Sequence, residues 1–126
     1  MLTHSNAFSG FAVNDLAAAE AFYRDTLGVE MSQQHGLATL HLDNGTDVLI
    51  YPKPDHVPAT FTILNFPVND INTAVDELTA PDITLLRYDH IAQDDRGIAR
   101  PPPGHGPLIA WFTDPAGNTL AVLEDQ

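Results

Sequence analysis

Apolar and polar positions in this chain follow one sequence of patterns and then repeat it. Ala7 to Val13 is apolar and weakly alternating, which predicts a strand. Asn14-Asp15 then supplies an N-cap. Leu16, Ala19, Phe22, Tyr23 and Leu27 fall at three- and four-residue spacings, so a helix over Leu16–Leu27 with one apolar stripe is expected. Gly28 closes it at a position where positive φ is common. Three short strands follow, over Glu30–His35, Leu37–Leu42 and Asp47–Tyr51, with Asp43-Asn44-Gly45 as the hairpin signal between the last two. Pro52, Pro54 and Pro58 interrupt backbone pairing and mark a linker.

The pattern then restarts. Phe11-Ala12-Val13-Asn14-Asp15-Leu16 reappears as Phe66-Pro67-Val68-Asn69-Asp70-Ile71. A strand over Ala59–Asn65 precedes the second copy, and a helix over Asp70–Thr79 follows it, with Ile71, Ala74, Val75 and Leu78 as its stripe. Thr84–Tyr88 reads as another strand. The closing hairpin runs through Trp111-Phe112-Thr113, turns at Asp114-Pro115-Ala116-Gly117-Asn118, and returns through Thr119–Glu124. Matching Gly45 to Gly117 lays Val48–Tyr51 over Leu120–Leu123. The expected class is α+β, with two tandem βαβββ modules at 1–54 and 59–126 inside one domain spanning 1–126. The second module is enlarged by an insertion at about 89–107, a binding edge, a lid or a mobile loop.

Composition narrows the chemistry. No cysteine is present, which excludes disulfides, thiolate metal sites and a Cys nucleophile. Seventeen acidic residues stand against five basic ones, a formal net charge of −12, which repels phosphate backbones and argues against nucleic acid as a partner. The same charge attracts cationic ligands, or serves solubility alone. No apolar run is long enough to span a membrane and no leader pattern opens the chain, so a cytoplasmic protein without a membrane partner is expected.

The doubled Val-Asn-Asp-(Leu/Ile), Phe22-Tyr23 followed by Leu27-Gly28, and the terminal Trp-Phe-x-Asp-Pro-x-Gly-Asn together resemble the vicinal oxygen chelate superfamily. That superfamily includes glyoxalase I, extradiol dioxygenases, fosfomycin-resistance transferases and bleomycin-resistance proteins. The resemblance covers the whole chain and implies βαβββ modules whose curled sheets enclose a cleft, often completed in a homodimer. It implies no single reaction, because the fold hosts several. In metal-using members, His, Glu or Gln at four equivalent strand positions hold the ion. Those positions are occupied here by Phe8, Leu49, Ile63 and Ala121, none of which carries a ligating atom. No metal and no cofactor is therefore expected.

Strand alternation sorts the remaining candidates. Phe11, Val13, Leu64, Phe66, Val68, Phe112, Leu120 and Val122 should pack beneath the helices. Phe8, Gly10, His41, Leu49, Tyr51, Phe61, Ile63, Asn65, Trp111 and Ala121 should line the concave face, an apolar and aromatic surface suited to a flat ligand. Trp111 could stack on that ligand, plug the cleft or sit in a dimer interface. His41, or a polar group from the 89–107 insertion, is a candidate for proton transfer, with a partly exposed strand histidine as the plainer reading of His41. Asp15, Asp70 and Asp114 read as caps and turn residues. The favoured function is metal-independent sequestration of a small aromatic or cationic molecule. The alternatives are an enzyme (lyase, isomerase or dioxygenase-like) with a non-standard site, or a structural dimer that fills its own cleft.

Overall fold

The repeated Val-Asn-Asp becomes the same helix cap twice. Asp15 has φ −140° and ψ 105° and its carboxylate accepts the Ala18 N–H. Asp70 has φ −142° and ψ 107° and accepts the N–H groups of Asn72 and Thr73. Those backbone donors hold the Asp70 carboxyl below its usual range. In both copies a side-chain oxygen satisfies donors that the first helical turn leaves unpaired.

The computed structural model describes residues Met1–Gln126, which divide into two compact units, Met1–Val57 and Pro58–Gln126. In the first, β1 (Ser9–Val13) leads into α1 (Leu16–Glu20), followed by β2 (Glu30–Gln34), β3 (Leu37–His41) and β4 (Asp47–Pro52). The sheet order is β1-β4-β3-β2, with β1 parallel to β4 and the other pairs antiparallel. Phe11, Val13, Ala38, Leu40, Val48 and Ile50 are buried on one sheet face, and Ala19, Phe22 and Tyr23 are the buried residues of the helical segment. Phe11 and Tyr23 meet across that layer, ring centroids 5.8 Å apart.

The helix departs from the expected one in its second half. After Glu20 the chain widens into a π-helical stretch, Ala21–Thr26, which closes with Leu27 N–H donating to Phe22 C=O at 2.9 Å. The wider turn lets the neighbouring rings of Phe22 and Tyr23 both be buried, edge to face at 5.1 Å. Gly28, at φ +75°, ends the segment as expected.

In the second unit, β5 (Thr62–Pro67), α2 (Ile71–Thr79), β6 (Leu108–Thr113) and β7 (Thr119–Glu124) form a sheet ordered β5-β7-β6 under one helix. The apolar stripe of α2 is buried at Ile71, Ala74, Val75 and Leu78, as its spacing predicts. Phe112, Leu120 and Val122 are buried too, whereas Leu64, Phe66 and Val68 are only partly so. Glu124 reaches back from β7 to accept the Ile71 N–H at 2.8 Å, a second cap on α2.

The expected strand over Thr84–Tyr88 does not form. It is reduced to a single bridge, Leu85 with Phe112, beside a Leu86 N–H to Trp111 C=O bond. The Gln93 side chain takes over the bonding of a strand partner. Its Oε1 accepts the Tyr88 N–H, and its Nε2 donates to the Leu86 and Gly97 carbonyls. The second unit therefore has three full strands where four were expected.

The 89–107 insertion is folded around Asp94. Its Oδ1 accepts the Arg96 and Ile98 N–H groups at 2.9 Å each, and Oδ2 accepts from Arg100 Nε at 2.8 Å. Arg96 pairs with Asp76, and Arg100 donates to Asn72, so both arginines tie the loop to α2. Ile98 and Ala99 are buried beneath it. Burial alone would raise the Asp94 carboxyl, but the bonds from Arg100, Ile98 and Arg96 outweigh it and hold the pKa below the ordinary value. A carboxylate with a depressed folded pKa contributes stability that is present above the unfolded value and lost as pH falls through the folded one. Asp94→Asn is accordingly expected to melt below the parent protein at pH 6, with the gap closing as pH falls from about 4. Paired thermal melts across that range check it.

Candidate functional site

Each unit presents one sheet face away from its helix. On the first unit, strand register aligns Gly10 with Leu49 and Leu49 with Thr39, while Ala12 lies beside Tyr51. Gly10 is needed at its place. A Cβ there would come within 3.1 Å of the Leu49 carbonyl oxygen and 3.2 Å of its Cβ. Phe8, expected inside the first strand, instead precedes β1, which begins at Ser9, and is 68% exposed.

His41 lies on this same face at the end of β3, and it is not an isolated strand histidine. Its register partners are Glu30 on β2 and Asp47 on β4. Nδ1 lies 2.9 Å from Asp47 Oδ1, and Nε2 lies 2.7 Å from Ser32 Oγ. Sequence reading singled out His41 but missed Ser32 and Asp47, because they come from two other strands. The available signal was the Asp43-Asn44-Gly45 hairpin, where the Gly45 N–H donates to the Leu42 carbonyl, setting position 41 opposite 47.

On the second unit, Asn65, Ala121 and Trp111 form one row across three strands. Trp111 is partly exposed and held on two sides. Its Nε1 donates to Thr62 Oγ1 at 3.2 Å, and the Tyr88 ring stands edge to face against it, centroids 5.2 Å apart at 88°. Ala121 beside it is fully buried and Asn65 is exposed.

Simple alternation through Phe61, Ile63 and Asn65 fails. The pairing of β5 with β7 slips between Thr62 and Leu64, so Thr62 aligns with Thr119 and Ile63 is the extra residue of a bulge. Thr62, not Ile63, takes the place beside Trp111. Phe61 precedes the strand, which starts three residues later than expected, and is 70% exposed.

The four residues to which the family resemblance points carry no ligating side chain. Phe8, Leu49, Ile63 and Ala121 offer no donor atom, and no three His, Asp or Glu side chains converge elsewhere. What the two faces do offer is a braced aromatic surface at Trp111 and a polar hydrogen-bonded chain at His41. No helix is long and apolar enough to cross a membrane.

The model for the Glyoxalase/Bleomycin resistance protein/Dioxygenase superfamily matches residues 5–122. A search of curated proteins found no match. Among solved structures, the fold is shared with a bleomycin-binding protein complexed with bleomycin, at 18% identity and a TM-score of 0.67, covering 97% of this chain and 99% of that one. It is shared too with TnmS3, an antibiotic binding protein from Streptomyces sp. CB03234, at 16% identity and a TM-score of 0.70, covering 98% and 99%. A lactoylglutathione lyase from Agrobacterium tumefaciens is similar at 23% identity and a TM-score of 0.66, covering 97% and 96%.

Proposed function

This chain belongs to the Glyoxalase/Bleomycin resistance protein/Dioxygenase superfamily, and we propose that within it the protein binds and sequesters a small aromatic cation without a metal. The observation that carries this reading is Trp111, an indole fixed by Thr62 and Tyr88 before any ligand arrives. A stacking surface already ordered loses little conformational entropy on binding. Asn65 adds a polar group on the same face. The net charge of −12 favours a cationic ligand, and two of the similar structures are named for binding bleomycin or an antibiotic. On the second unit we infer that Phe61 and Ile63 flank this surface, with Ala121 buried beneath it. The first unit, taken by itself, offers Gly10, Leu49, Tyr51 and His41, with Phe8 before them, as a separate candidate surface. The same reading takes the protein to be cytoplasmic and homodimeric, the latter tested by sedimentation equilibrium.

Trp111 is the sole tryptophan, so its fluorescence reports directly on the surface. Ethidium, a planar cation, and bleomycin are expected to quench it saturably, more weakly as salt rises. The anionic dye anilinonaphthalene sulfonate is expected to bind less. By calorimetry, Trp111→Ala should weaken ethidium binding by up to about tenfold, the worth of one stacking contact. Absence of saturable quenching by either cation, or a sharp rise in melting temperature with stoichiometric Ni²⁺, would refute the proposal. The alternative, an enzyme with a non-standard site at His41, is favoured by one observation, the hydrogen-bond chain through that histidine.

A further inference from the structure

Ser32, His41 and Asp47 stand on three adjacent strands of the first sheet, linked in the order hydroxyl, imidazole, carboxylate. Asp47 Oδ1 can only accept when ionised, so in the neutral ring Nδ1 carries the proton and donates it across 2.9 Å. Nε2 is then the acceptor, and the Ser32 hydroxyl donates to it at 2.7 Å. The tautomer, the direction of each bond and the identity of the base all follow from one carboxylate. From this geometry we infer that Ser32 is a nucleophile, His41 its general base and Asp47 the residue that positions the ring. The substrate class is small neutral or cationic carboxylic esters, because Glu30, opposite His41, and Asp47 repel anionic ones.

The step balances without a co-reactant other than water. Ser32 Oγ attacks the acyl carbon while its proton passes to His41 Nε2, and the imidazolium formed is stabilised by Asp47. The ester C–O bond breaks, and the departing alkoxide takes the proton from Nε2 and leaves as the alcohol. A water molecule, losing a proton to Nε2, then attacks the acyl-Ser32 carbon. Ser32 Oγ departs with that proton, releasing the acid. β2 is the edge strand of its sheet, so Ser32 stands at the open margin. The side chains of His41 and Asp47 are 36% and 57% exposed, so an ester reaches them from solvent.

The probe is p-nitrophenyl acetate, with p-nitrophenolate release followed by absorbance and the acetyl group located by peptide mass mapping. The chain has three serines, Ser5, Ser9 and Ser32, which fall apart readily in such a map. The acetyl group is expected on Ser32 and is lost in Ser32→Ala. His41→Asn should slow release by about 10² or more. Asp47→Asn should slow it with the melting temperature unchanged, and Asp47→Glu should recover part of the rate, which a merely structural role for Asp47 would not produce. Acetylation confined to Ser5, Ser9, Lys53 or the N-terminus, or undiminished release from Ser32→Ala, overturns the assignment. Trp111 fluorescence reads ligand binding separately, so the failure of one proposal is distinguishable from the failure of the other.

Discussion

Asp114→Ala is expected to lower the stability of the second unit by about 2–4 kcal/mol, read as a lower urea midpoint with an unchanged slope. Asp114 is 4% exposed and organises the turn between β6 and β7. Its Oδ1 accepts the Ala116 N–H at 3.0 Å and the Asn118 N–H at 2.9 Å, and its Oδ2 accepts from Asn118 Nδ2 at 3.0 Å. The backbone closes the same loop, Asp114 N–H to Asn118 C=O and Gly117 N–H to Asp114 C=O, both at 3.0 Å. Alanine keeps the backbone bonds but takes both carboxylate acceptors away from two buried donors of Asn118. Losing a buried partner costs more than the bond was worth, which is why the expected loss exceeds that of a surface turn. Gly117 sets the other requirement. At φ +87°, with the Pro58 ring 3.1 Å from where a Cβ would sit, it admits no larger residue without strain. Asp114→Asn retains one acceptor and should lose about half as much. Equal stability of Asp114→Ala and the parent would mean that the turn is held by its backbone alone.

That turn belongs to the part of the fold legible in the sequence, for a physical reason. Asp114, Pro115, Gly117 and Asn118 each act through bonds to near neighbours, and local bonds leave local signatures. The Val-Asn-Asp caps are the same case, their geometries agreeing within 2° at two places far apart in the chain. Legibility ends where a partner arrives from elsewhere. Thr84–Tyr88 has the composition of a strand, yet Gln93 occupies the backbone groups a strand would need, and nothing in the strand's own residues announces that. The bulge at Ile63 likewise depends on how β5 meets β7, so strict alternation placed Ile63 where Thr62 stands. His41 was legible as a residue of the exposed face from alternation with Leu40 and Leu42. Its bonds to Ser32 and Asp47 required the register of three strands at once. Diagonal neighbours such as Ser32 and His41 come within reach only once that register is set.

Ala121 tests the reading of the second face most severely. Ala121→Glu is expected to destabilise the protein by about 2–5 kcal/mol, because the position is fully buried between Asn65 and Trp111 on neighbouring strands. Burial penalises the charged form, so the introduced carboxyl would titrate above its unfolded value of about 4.3. The unfolded chain then loses its proton first, and the stability deficit grows as pH rises from about 4 towards the raised folded value. Melts of parent and variant at pH 4 and pH 8 should therefore diverge at the higher pH. Stoichiometric Ni²⁺ should not restore the variant, since one carboxylate alone does not hold the ion. The size of the deficit also measures the space above Ala121. A variant as stable as the parent at pH 8 would mean that this space is open to water, with Trp111 forming the wall of a recess rather than a shelf. A deficit of the expected size would leave the exposed part of the indole, braced by Thr62 and Tyr88, as the surface on which a flat ligand can rest.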